Sequence, residues 1–332
     1  MASPAFSPPR WARNPHVQTI WGPLFRRHRV ALRRERVATD DGDFVDLDWL
    51  DGAPGAPLVL VLHGLEGCAR SHYVGGLLTE VGRRGWRGVL LNFRSCSGEL
   101  NRLPRFYHSG DTGDLDAVVR RLLAREGSAP LGVVGVSIGG NVLLKWLGER
   151  EAEAPVEAAV AISVPFDLTS CATVMDRGLQ RVLYTTNFMR TMRRKAVDKA
   201  RRYPGFVDVA AVRRARTFAQ YDRLVTAPLH GFADERDYWT RASSAPYLSS
   251  IARPSLLINA LDDPFVPAAS LPDRASLPRH VVAEWTAHGG HVGFVDSASP
   301  SRASWAERRA VEFLEGVLAR REAVPRPEAT AR

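Results

Sequence analysis

Residues Leu131–Asn141 read LGVVGVSIGGN. An apolar run of strand character stops at Gly135-Val136-Ser137-Ile138-Gly139, and a helical pattern follows from Asn141 through Val142, Leu143, Leu144 and Leu147. The segment predicts a strand, a sharp turn and a helix, with a serine at the corner of a G-x-S-x-G frame. Glycines on either side lack Cβ, so the helix can begin hard against the strand. Such a corner lifts the hydroxyl clear of the backbone. The N–H of Ile138 is free there, because the first amides of a helix have no partner within it. One short segment thus offers a nucleophile and half of an oxyanion hole. Two glycines and a serine at this spacing also arise by chance; the strand before and the helix after favour the catalytic reading.

Working outward toward the N-terminus, Leu58–Leu62 (LVLVL) has the unbroken apolarity of a strand covered on both faces of a parallel sheet. It runs into His63-Gly64-Leu65-Glu66-Gly67, a Gly-containing loop at a strand's carboxyl end, where the N–H of Leu65 is the natural second oxyanion donor. His63 is read as holding this loop rather than as a base. Two β-like runs between Arg36 and Leu50 flank a turn at Asp40–Asp43. Ser71–Arg84 reads as a helix, Gly88–Phe93 as a buried strand and Asp111–Glu126 as a helix with an acidic start and a basic end. Strands alternating with helices call for an α/β fold with a mostly parallel sheet and helices on both faces. The long loop Arg94–Gly110 leaves the same sheet edge, and its Asn101, Arg102, Arg105, Tyr107 and His108 are read mainly as tying the loop down.

Toward the C-terminus, a strand at Val156–Ser163 is followed by residues 167–250, with helical, basic and aromatic segments at Arg190–Arg202, Val209–Tyr221 and Gly231–Trp239. This stretch reads as a helical lid inserted into a core formed by 36–166 and 251–321. Strands resume at Pro254–Ala260 and Val281–Trp285. The first leads into Asp262-Asp263-Pro264, the second into His288-Gly289-Gly290-His291. A carboxylate and a histidine just past successive strand ends share the edge of Ser137, in the chain order Ser, Asp, His. The proline after Asp263 favours it over Asp262 as the orienting acid, with Asp167 a further alternative, and His291 is preferred to His288 as the base. Two histidines three apart separated by glycines offer no rigid metal face, so no metal or cofactor is expected. Residues 1–35 read as an N-terminal arm without regular period, and 322–332 as a disordered tail after a helix from about Ala303 to Arg320.

The chain has 332 residues and a formal charge of +9, but lysine occurs only at 145, 195 and 199, so the 45 basic residues are nearly all arginine. That skew points to genome composition rather than a nucleic-acid surface, and nucleic acid is not expected as a partner. The basic clusters at Arg26–Arg36 and Arg190–Arg202 leave open a peripheral contact with anionic membranes. Cys68, Cys96 and Cys171 are odd in number and widely spaced, which argues for a reducing compartment. With no apolar leader and no run long enough to span a bilayer, a cytoplasmic location is expected.

Several longer segments carry a family likeness: NPHVQT at 14–19, HGLEG at 63–67, RSCSGELNRLPRFYHSGDTGDL at 94–115, GVSIGGN at 135–141, TAPLHGFADERDYW at 226–239, DDPFVP at 262–267 and HGGHVGF at 288–294. Through these the chain closely resembles the YheT-like hydrolases, a branch of the α/β-hydrolase superfamily with membrane-anchored eukaryotic lipase relatives. The resemblance implies the α/β-hydrolase fold and a serine esterase, with Ser137 as nucleophile, Asp263 as acid and His291 as base. It implies small-molecule or lipid-like esters of short- to medium-chain acids as substrates, or acyl transfer to an alcohol by the same triad. A non-catalytic binding module is the remaining alternative. No transmembrane anchor precedes NPHVQT, so membrane residence is not carried over. Oligomeric state is not legible in the sequence.

Overall fold

The computed structural model describes residues 6–298 and 303–322. Eight strands form one sheet: β1 Arg33–Ala38, β2 Phe44–Leu50, β3 Leu58–Leu62, β4 Arg87–Asn92, β5 Leu131–Val136, β6 Ala158–Ile162, β7 Ser255–Ala260 and β8 Val281–Thr286. Their order is β1-β2-β4-β3-β5-β6-β7-β8. β1 pairs antiparallel with β2, and β2 with β4; every later pairing is parallel. The parallel strands read as apolar throughout because both faces are covered. On β3, Leu58, Leu60 and Leu62 enter one core while Val59 and Val61 enter the other, as the two-residue period of a strand requires.

The first four helices in chain order are α1 Pro15–Phe25, α2 His72–Arg83, α3 Gly113–Glu126 and α4 Ile138–Arg150. Leu115, Val119 and Leu122 of α3 and Val142, Leu143 and Trp146 of α4 close the first core. The second is closed by Val74, Leu77 and Val81 of α2 and by Val311, Leu314 and Leu318 of the C-terminal helix Trp305–Glu322. The parallel strands all end at one edge, and the loops after β3, β5, β7 and β8 converge there.

Residues 168–250, between β6 and β7, hold only helices and turns. Their own apolar cluster gathers Met189, Ala196, Val212, Tyr221 and Val225 beneath Phe106 of the loop after β4. Single π turns at Arg181–Thr185 and Asp222–Thr226 interrupt this region. The segment expected to be helical over Val209–Tyr221 is two helices, Val209–Arg214 and Phe218–Tyr221, because Thr217 caps the second by accepting from Gln220 N–H. The helix sought from Gly231 starts at Glu235, where Asp234 accepts from the N–H groups of Arg236 and Asp237.

The N-terminal region departs from the aperiodic arm expected of it. Arg33–Glu35 already belong to β1, and Pro15–Phe25 is a helix. The Asn14 side chain caps it by accepting from the N–H groups of His16 and Val17, and Pro15 occupies a position where a missing N–H costs nothing. Gln18, fully buried, donates to Ala12 O and Val295 O and accepts from Val295 N–H, which staples α1 to the loop after β8. The expected disordered tail lies outside the described residues apart from Glu322, the last residue of the C-terminal helix.

Candidate active site

Ser137 sits between β5 and α4 with φ +53°, a strained value for any residue but glycine. Its neighbours explain how the corner is held. A Cβ on Gly135 would meet Gly139 O at 2.5 Å, and one on Gly139 would meet Leu62 O at 2.5 Å and His63 O at 2.6 Å. Both positions therefore need glycine for close approach of backbone. The Ser137 N–H donates to Ile162 O at 2.8 Å, which pins the turn to β6.

The structure brings Ser137, Asp263 and His291 together. His291 Nε2 lies 3.0 Å from Ser137 Oγ, and His291 Nδ1 lies 2.8 Å from Asp263 Oδ2. Asp263 Oδ1 accepts from Phe265 N–H at 2.7 Å and Val266 N–H at 3.3 Å. Burial raises the pKa of the Asp263 carboxyl, while His291 and those two amides hold it down. Phe265 stacks on the His291 ring, with centroids 4.1 Å apart. The rejected alternatives do other work. Asp262 accepts from Gly290 N–H and from His288, whose side chain is turned to solvent; Asp167 caps the helix Leu168–Met175. No cluster of three metal-ligating side chains occurs among the described residues.

His63 is fully buried, donating through Nδ1 to Gly64 O at 2.7 Å and accepting at Nε2 from Phe93 N–H at 3.1 Å. It ties β3 to β4, and burial lowers its pKa to about 4. In the loop after β3, the Gly64 N–H donates to the Tyr73 hydroxyl and the Glu66 N–H to the Tyr107 hydroxyl, each at 2.8 Å. The amides on both sides of Leu65 are thus occupied. Leu65 and Ile138 both border the cavity that opens beside Ser137.

That cavity measures about 500 Å³, within the usual range of small-molecule sites, and its wall is largely apolar, with Leu168, Met175, Met192, Phe188 and Phe218 supplied by residues 168–250. A polar contact crosses its wall: Lys195 Nζ donates to Glu66 Oε1 at 2.8 Å, joining the inserted helices to the loop that carries Leu65. In the long loop after β4, Arg94 is buried among Asp41, Asp43 and Asp114, and Asn101 donates to Asp43 Oδ2. Most of that loop's polar residues tie it down, as the sequence led us to expect.

Three residues around the site escaped the reading of the sequence. Thr19 on α1 accepts from the backbone N–H of His291 at 3.0 Å. Phe265 and Lys195 also touch the site, through the ring stack and the Glu66 contact. The Asn14-Pro15 pair, a helix-start signal, was the cue available for Thr19, and Lys195 stood out as one of three lysines in an arginine-rich chain.

A model of the alpha/beta hydrolase fold matches residues 57–298, and the chain belongs to that family. Within it the chain is a YheT-like member: it is 40% identical over 319 residues to the provisionally named esterase YheT of Escherichia coli (strain K12), covering 94% of each chain. It is also 29% identical over 324 residues to phospholipase ABHD3 of Homo sapiens, covering 94% of this chain and 79% of that protein. The esterase Pf2001 of Pyrococcus furiosus superimposes with a TM-score of 0.56, covering 95% of this chain and 100% of its own, at 18% identity, a likeness of fold. The chain is a hydrolase of the esterase and lipase type.

Proposed function

We propose that this protein cleaves carboxylic esters with an apolar acyl chain, short- to medium-chain or lipid-like, through an acyl-enzyme on Ser137. The observation that carries the reading is the unbroken relay from Ser137 Oγ through His291 to Asp263, at 3.0 and 2.8 Å, on the wall of an apolar cavity. His291 Nε2 takes the Ser137 proton as Oγ attacks the ester carbonyl, while Asp263 holds the tautomer with the proton on Nδ1. The N–H groups of Leu65 and Ile138 receive the developing oxyanion. His291 then protonates the departing alcohol. Water, activated by the same imidazole, releases the acid and restores Ser137. The helices of 168–250 act as a lid that supplies the acyl-binding wall.

A Ser137→Ala variant is expected to lose labelling by a fluorophosphonate probe and hydrolysis of p-nitrophenyl esters while keeping its circular-dichroism spectrum. Undiminished labelling would move the nucleophile elsewhere; no labelling of the native protein would favour a binding module. An ester series from acetate to laurate defines acyl length, and product ratios with added ethanol separate hydrolysis from transfer to an alcohol.

A further inference from the structure

Eight large apolar side chains stand exposed among the described residues, and six of them come from two short stretches: Trp11, Val17, Leu24 and Phe25 in and just before α1, and Leu179 and Val182 in the segment Gly178–Thr185. The two stretches adjoin, since His16 Nδ1 and the Tyr184 hydroxyl are hydrogen-bonded at 2.8 Å. Both reach the cavity beside Ser137, α1 through Ile20, Pro23 and Leu24 and the second stretch through Leu183 and Tyr184. Leu24 is 57% exposed and yet lines the cavity, so this patch is the rim of the cavity mouth. Scattered exposed apolar residues need no explanation, but a cluster at the entrance of an apolar site marks a contact surface.

The two stretches that form this rim carry charge of one sign, with Asp176 just outside the second. Residues 1–34 contain no aspartate or glutamate, and neither do residues 177–197. Arg10, Arg13, Arg27 and Arg29 are exposed on the α1 side, and Arg177, Arg181 and Arg190 on the other. None of these seven forms an ion pair among the described residues, whereas Arg26, Arg33 and Arg34 are paired with Glu307, Asp51 and Asp48. Trp11, Trp21 and Phe25 pack as a continuous aromatic group, with centroids 4.4 and 4.3 Å apart, of the kind that settles at a membrane–water boundary. No described helix is long and apolar enough to cross a membrane, so any contact of this face is at the bilayer surface.

We propose that the cavity-mouth face, formed by α1 and Gly178–Thr185, docks on a lipid bilayer bearing anionic head groups. The aromatic and aliphatic rim enters the head-group layer and the ring of arginines meets the phosphates, two signals that together give an anchorage neither gives alone. An ester lipid then passes from the bilayer into the cavity without crossing water. Only this last step rests on the reading of the cavity as an acyl-ester site; the docking does not.

The test is co-sedimentation of the full chain with phosphatidylcholine vesicles and with vesicles containing phosphatidylglycerol. Binding is expected to the second kind, to weaken as salt rises, and to be at least about tenfold weaker to the first. Phe25→Asp with Val182→Asp, and separately Arg27→Glu with Arg29→Glu, should each reduce binding at least about tenfold while leaving hydrolysis of soluble p-nitrophenyl acetate unchanged. These side chains are exposed and do not line the cavity. Equal binding to both vesicle types, no binding to either, or binding that the substitutions leave intact would overturn the proposal. So would a dimer in light scattering that the same substitutions dissolve, since the patch would then be covered by a second copy. Vesicle binding without ester hydrolysis would sink the catalytic reading and leave this one standing.

Discussion

Replacing Asp263 with asparagine tests the relay at the point where the structure constrains it most. Oδ1 of Asp263 is held by the N–H groups of Phe265 and Val266, and Oδ2 faces His291 Nδ1 at 2.8 Å. An asparagine must put its carbonyl oxygen where Oδ1 was, because the opposite flip sets its NH2 against two N–H donors. Its NH2 then points at His291 Nδ1, which has to accept, and the ring proton moves to Nε2. That nitrogen lies 3.0 Å from Ser137 Oγ and can now donate but not take the serine proton. Shape is conserved, so the loss falls on kcat. By analogy with the same replacement in other Ser-His-Asp sites it should be about 10⁴-fold, or roughly 5.4 kcal/mol of barrier. The measurement is kcat for p-nitrophenyl butyrate beside a urea midpoint that confirms the fold. A folded Asp263→Asn protein that keeps kcat within about tenfold of the parent would refute the assigned proton path.

Other expectations follow from the same contacts. Thr19→Val leaves the buried His291 N–H without its acceptor and should cost about 1–3 kcal/mol, read from urea unfolding, with a fall in kcat; unchanged values would mean α1 does not brace the histidine loop. Gly139→Ala drives a Cβ into the carbonyl oxygens of Leu62 and His63, and a loss of about 1–3 kcal/mol is expected, together with reduced activity because the corner and the loop of Leu65 are pushed apart. His63 has its pKa lowered from 6.5 to about 4 on folding, because burial and the nearby Lys195 charge both disfavour the protonated ring. Between those values the unfolded chain binds the proton and the folded one does not. Its contribution of up to about 3 kcal/mol is therefore present above pH 6.5 and disappears as pH falls toward 4. Urea midpoints from pH 7 to 4.5 should show the decline, and a His63→Gln variant should make it shallower without abolishing it, since burial also lowers the pKa of His72, His108 and His230.

Much of this protein was legible along the chain because its signals are local. An apolar strand that stops at a glycine-flanked serine and gives way to a helical pattern reads as a tight corner, and carboxylate and imidazole loops after later strands inherit their edge from the parallel sheet. That reasoning located β3 to β8 and singled out Ser137, Asp263 and His291. The geometry sets Asp263 rather than Asp262 against His291, the preference drawn from Pro264. What was not legible depends on groups far apart in sequence. Pro15–Phe25 shows little periodic apolarity, since one side lies on the protein and much of the other is exposed and apolar, so its helix was hidden although Asn14-Pro15 announced its start. Thr19 under His291, 272 residues away, and Lys195 against Glu66, 129 residues away, are meetings that only packing creates. The chain by itself determined the chemistry on offer, because strain and strand order are written in short segments. Tertiary structure alone decided which apolar side chains became cavity wall and which became its exposed rim, because burial belongs to the surfaces that meet and not to any one residue.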